Sequence, residues 1–179
     1  MTRHFQIKAF EHHGFFVCVL AVILFGCTGP GTSRMVPLDM PMAGKTITKT
    51  VRVGQVSGEV KEAGNAKNSQ IRDALVRGLN QAKYFRAVVL EGQSDLELRA
   101  TVIAQRFKDR ASFKTRNEIT INYKLIENGS GSILWQETIL SEAGSNAFAG
   151  ATRLSEACEG AVRENIALFL SELSRYEWK

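Results

Sequence analysis

Two periodicities divide the chain from residue 46 onward. In KTITKTVRVGQV, Ile47, Val51 and Val53 share one parity, with Lys49 intruding, and threonines fill the other, which predicts a half-buried strand. The polar stretch EVKEAGNAKN reads as a loop. Asn68 or Ser69 can then cap a helix in which Ile71, Ala74, Leu75, Leu79 and Ala82 recur at steps of three and four and line one face. Gly78 inside that helix costs about 1 kcal/mol relative to alanine, which close packing on a sheet would offset. YFRAVVLEG predicts a short strand at an edge.

Stricter alternation follows. In DLELRATVIAQRF, Leu96, Leu98, Ala100, Val102 and Ala104 fall on one face, and Glu97, Arg99, Thr101 and Gln105 on the other. NEITINYKLIE repeats the device with Ile119, Ile121, Tyr123 and Leu125, and Asn128-Gly129-Ser130-Gly131 turns the chain into SILWQETIL as a hairpin. In that last strand Ile133 and Trp135 share one parity and Leu134 and Leu140 the other. It reads as partly covered on both faces, with Trp135 closing the core edge, or as presenting apolar groups to a partner. The final helix places Leu154, Cys158, Ala161, Val162, Ile166, Phe169, Leu170 and Leu173 on one stripe, with Glu156, Glu159, Arg163, Glu164 and Glu172 pointing elsewhere. The order β-α-β-β-β-α predicts an α+β two-layer sandwich. Its antiparallel-rich sheet has about four strands, with two helices on one face and a polar, open face opposite.

The first residues follow neither period. Arg3 and Lys8 precede FFVCVLAVILF, Phe15 to Phe25, a run reaching only about half of the roughly 20 apolar residues that a membrane-crossing helix needs. A basic start, a short apolar middle and a small residue, Gly26, describe a secretory signal peptide. Leu24-Phe25-Gly26-Cys27 resembles the lipobox of bacterial lipoprotein signals, with Phe25 larger than is usual at its position. That resemblance implies cleavage before Cys27 and lipidation of Cys27 as a triacylated amino terminus. Residues 1–26 are then a signal, 27–45 the lipidated cysteine with a Pro/Gly-rich tether holding all three prolines, and 46–179 the periplasmic domain. Thr28, where inner-membrane lipoproteins commonly carry Asp, implies the outer membrane, facing the periplasm. The methionines and Leu38 of the tether also allow an extended segment docking on a partner.

Cleavage changes the available chemistry. All three histidines (His4, His12 and His13) leave with the signal, and with them the side chain that titrates near neutrality and most often binds metals. Triad catalysis and histidine-containing zinc sites are excluded from what remains. Cys18 leaves too and Cys27 is acylated, so Cys158 is the one remaining thiol, best read as a small apolar core residue. Loss of Arg3, Lys8 and Glu11 takes the net charge from +5 to +4, a modest excess that does not by itself indicate nucleic acid. No catalytic residue, metal site or cofactor is implied.

The lipobox, the tether, a helix ending in the aromatic pair Tyr84-Phe85, the DLELRATVIAQ strand, the YKLIENGSGSILWQETI hairpin and the closing helix together resemble small outer-membrane lipoproteins. The resemblance is to the YajG-like family, with the LptE family as a structural cousin, and covers about Ile47 to Leu173. It implies a non-enzymatic lipoprotein that binds or scaffolds within an envelope assembly. On the LptE side it implies a role beside a barrel in lipopolysaccharide export, which topology alone does not carry over. One segment bears on that alternative. RFKDRASFKTR carries Arg106, Lys108, Arg110, Lys114 and Arg116 around Phe107 and Phe113, near a loop joining two long strands. Such cations can hold anionic lipid head groups, or simply keep a solvated hairpin tip from edge-to-edge association. The partners expected are therefore the membrane through the N-terminal lipid, an envelope protein, and anionic lipid in the alternative.

Overall fold

Period-two alternation sets the three longest strands: β4 (Leu96–Lys108), β5 (Thr115–Glu127) and β6 (Ile133–Ser145), each of 13 residues. The computed structural model describes residues 31–39, 46–58, 64–108 and 113–178. Ahead of the long strands come a 3-10 turn (Thr32–Met35), β1 (Ile47–Val53), β2 (Ser57–Gly58), helix α1 (Asn68–Ala82) and β3 (Phe85–Val89); helix α2 (Gly150–Arg175) follows them. The α1 apolar face is buried as its spacing predicts. Its cap is Lys67 rather than Asn68 or Ser69, and Gln70 Oε1 accepts the Lys67 backbone N–H at 2.8 Å.

The sheet is larger than expected and differently ordered. It has six strands in the order β3-β1-β4-β5-β6, with β2 also on β4. It is mixed: β1 runs parallel to both β3 and β4, and β2 parallel to β4, whereas β4, β5 and β6 are antiparallel neighbours. The physical reason lies in α1, a crossover that brings β3 back parallel beside β1. Strand β2 continues the line of β1 after a break, and two residues are too few to show a period. Gly58 makes that pairing feasible: its φ is +104°, and a Cβ there would lie 2.1 Å from the Val102 carbonyl oxygen.

A bulge between Val102 and Ala104 reverses the parity of β4. Leu96, Leu98, Ala100 and Val102 face the helices as predicted, but beyond the bulge Gln105 is buried and Ala104 exposed, the opposite of the sequence reading. A second irregularity pairs Leu125 with Trp135 and Ile126 with Ile133. The expectation that Ile133 and Trp135 share a face therefore fails. Ile133 sits on the open face, and Trp135 turns inward to meet Phe169 at 5.7 Å between ring centroids.

Both helices pack against one face of the sheet and touch each other, α1 over β1 and β3, α2 over β5 and β6. Tyr123 stacks on Phe169 at 4.4 Å, and its hydroxyl donates to Asn165 Oδ1 at 2.8 Å. Asn165 Nδ2 in turn donates to the Ile139 carbonyl at 2.9 Å. Gly160 lets α2 approach β6, since a Cβ there would meet that of Ala143 at 2.8 Å.

Part of the segment read as a tether is docked. Met35 is fully buried and Val36 nearly so, both within the common core, and the 3-10 turn contacts both helices.

Candidate functional site

Arg106 and Lys108 stand on β4 and Arg116 on β5, at the strand ends rather than in the loop between them. All three are ion-paired on the open face. Arg106 Nη2 lies 2.6 Å from Glu118 Oε1, and Lys108 Nζ lies 2.6 Å from Glu118 Oε2 and 3.0 Å from Glu142 Oε2. Arg116 Nη1 completes the row at 3.1 Å from Glu142 Oε1. Glu118 and Glu142 are direct cross-strand partners, an arrangement of like charges that is unfavourable on its own. Lys108, bridging the two, resolves it. Its ammonium holds the Glu118 carboxyl below the ordinary range, helped by Arg106, and does the same for Glu142. Hydrogen bonds to Glu118 and then Glu142 raise Lys108 in return. Lys114 is exposed beside Phe113. Arg110 lies outside the described residues, as do Leu24, Phe25, Gly26 and Cys27.

A row of cations already matched to carboxylates is a ladder that ties three strands together. It can steer an anion only through its residual positive charge. A charged, solvated end of the strands accounts for these ion pairs without a ligand.

Glu159 carries no signal of burial in its pattern. Its place between Cys158 and Gly160 on α2 reads as an outward position, yet it is only 4% exposed. Its Oε1 accepts the Gly31 backbone N–H at 2.6 Å and the Ser155 hydroxyl at 3.0 Å, and Arg34 Nη1 lies 3.7 Å from Oε2. One turn further along α2, Arg163 Nη1 donates to the Arg34 carbonyl at 3.3 Å. Residues 31–36 are thus strapped to α2, with Met35 as the apolar plug. The signal that could have exposed this is weak: a lone apolar pair, Met35-Val36, in a Pro/Gly-rich stretch.

The parity reversal at Ile103 builds a second polar group beneath α2. Gln105 Nε2 donates to Asn117 Oδ1 at 3.1 Å and to Cys158 Sγ at 3.3 Å, and Asn65 Nδ2 donates to the Gln105 carbonyl at 3.3 Å. Cys158 is fully buried, and burial pushes its thiol up to about 12, which suits the structural role read from its spacing.

Neither a protein-family model nor a curated protein matches the chain. Solved structures do. A DUF330 protein from Xanthomonas campestris superposes with a TM-score of 0.60 at 14% identity, over 77% of this chain and 89% of its own. PelC from Paraburkholderia phytofirmans, a dodecamer in its crystals, gives 0.51 at 12% identity over 79% and 94%. The hypothetical protein CT253 from Chlamydia trachomatis gives 0.51 at 9% identity over 70% and 97%. At these identities the likeness is one of fold. The YajG-like family stays a resemblance.

Proposed function

We propose that the chain is a bacterial lipoprotein, acylated at Cys27 and held at the outer membrane facing the periplasm, where its domain acts as a non-enzymatic binding or scaffolding component of an envelope assembly. The observation that carries the reading is the lipobox-like Leu24-Phe25-Gly26-Cys27 after a short apolar run, placed just upstream of a segment that is built into the domain. The binding part of the reading draws on the open sheet face. It presents Arg99, Thr101, Asn122, Lys124, Gln136 and Thr138 from three adjacent strands, with Leu140 57% exposed among them, a flat polar surface with an apolar spot, of the kind that protein partners cover.

Two measurements test the reading. Mass spectrometry of the N-terminal peptide from isolated membranes is expected to give a diacylglyceryl mass on Cys27, and Cys27→Ser to release the chain from the membrane fraction. An intact residue 1 on the membrane-bound chain would overturn the lipoprotein assignment. For the partner, a photocrosslinking residue at Asn122 or Thr138 is expected to capture one defined envelope protein. The same probe at Lys83, exposed at the end of α1, should not; equal capture at both positions counts against the open face.

A further inference from the structure

Two aromatic side chains stand almost wholly in solvent: Phe113 is 82% exposed and Phe148 94%. They belong to one end of the sheet. Thr115 and Ser145 are cross-strand partners, Phe113 lying two residues before the first and Phe148 three after the second. The exposure of Phe148 is not that of a slack turn. Arg153 Nη1 donates to the Ala147 carbonyl at 2.7 Å and to that of Phe148 at 3.3 Å, while its Nε donates to Thr115 Oγ1 at 3.2 Å. The backbone under Phe148 is thereby fixed to the end of β5 with the ring outside. Large apolar groups held in water in this way mark a surface that meets something apolar.

The strap says what. Gly31 is bonded to Glu159 and Arg34 to Arg163, one turn later, so the described strap runs in the direction of α2. Its upstream end therefore points to the N-terminal end of that helix, where Phe148 lies. From Gly31 back to Cys27 there are four peptide steps, a reach of at most about 14 Å. From Glu159 back to Gly150 along the helix axis is also about 14 Å at 1.5 Å per residue.

Taking the lipid anchor at Cys27 proposed above as the premise, we infer that the end of the sheet carrying Phe113 and Phe148 rests on the bilayer, with both rings in the interface. The short leash leaves little freedom to hold this end away from the lipid. Phe113 is followed by Lys114 and Arg116, cations at the level where head-group phosphates would lie. The domain then stands upright on its anchor. The opposite end, which holds the β3–β4 connection with Leu90, points into the periplasm.

The test uses the full chain, processed and inserted in vesicles of phosphatidylethanolamine and phosphatidylglycerol whose acyl chains are brominated. Tryptophan is placed singly by Phe113→Trp, Phe148→Trp and, as the opposite-end control, Leu90→Trp. The first two are expected to lose more fluorescence to the brominated chains than the parent, whose own Trp135 and Trp178 set the background; the third is expected to match the parent. Quenching at Leu90, or none at 113 and 148 while the acylated chain floats with the vesicles, overturns the inference and leaves the lipoprotein reading standing. A Cys27 without an acyl mass overturns both, and the mass spectrum separates the two failures.

Discussion

Strands β4, β5 and β6 carry polar groups on both faces, and the two sets are built on different terms. On the open face Arg106, Lys108 and Arg116 pair with Glu118 and Glu142 in a row of charges. Water can replace any member, so the row contributes little per pair and is screened by salt. On the helix face the buried polar groups of the strands are few and neutral: Gln105, Thr115, Asn117 and Ser141 beside the Tyr123 hydroxyl. Asn165 is fully buried and serves Tyr123 and the Ile139 carbonyl at once. The number of charges on a face says little about which face a strand depends on.

Removal of single members sharpens the difference. Asn165→Ala leaves the buried Tyr123 hydroxyl and a strand carbonyl without partners, and at about 1–3 kcal/mol for each such group a loss of about 3 kcal/mol is expected in urea unfolding. Glu159→Ala, which strips Gly31 and Ser155 of their acceptor, is expected to cost about 2 kcal/mol on the scale of charge-assisted bonds. Proteolysis near Arg34 checks it, since release of the strap should open cleavage there before global unfolding. Tyr123→Phe keeps the stack on Phe169 and loses one neutral hydrogen bond, so about 1 kcal/mol is expected.

The smallest effect belongs to the open face. Lys108→Met should change the melting temperature least of the series, and its effect should fade in high salt. The pH dependence has a definite sign. Glu118 and Glu142 titrate lower in the folded chain than in the unfolded one. Their contribution is therefore complete above the ordinary carboxylate range and is lost as pH falls through their depressed values. Lys108 is raised, so its share is complete below the ordinary ammonium value and is lost as pH rises through the raised one. Thermal melts of the parent and of Lys108→Met should converge at both extremes. A variant as far below the parent at pH 2 as at pH 7 would mean that Lys108 acts by packing its stem.

Much of the fold was legible because burial imposes a period. The α1 face, the inward residues of β4 as far as Val102, those of β5 and the Asn128–Gly131 turn all follow from spacing alone. Neighbour relations leave no such mark. Nothing in ITKTVRV distinguishes a strand between two parallel partners from one in a hairpin, so the mixed order was not readable. One extra residue at Ile103 sufficed to send Gln105 inward, because a two-residue period has no tolerance for a shift of one. The cations of the candidate site were visible as a cluster. Their partners were not, since Glu118 and Glu142 become neighbours only when three strands align. Glu159 was hidden for a simpler reason: a carboxylate on a helix reads as solvated unless something is known to cover it.

The contact that covers it joins residues 128 positions apart, Gly31 and Glu159. Such a contact closes a long loop, and long loops close late because their ends must first be brought together by everything between them. Helix α2 follows every strand it packs on, so its pocket for the strap is completed after them. Until it has packed on β5 and β6, Met35 has no pocket and residues 31–36 have nothing to hold them. The strap thus acts as a clock: residues 31–36 are drawn onto the domain only once α2 is in place.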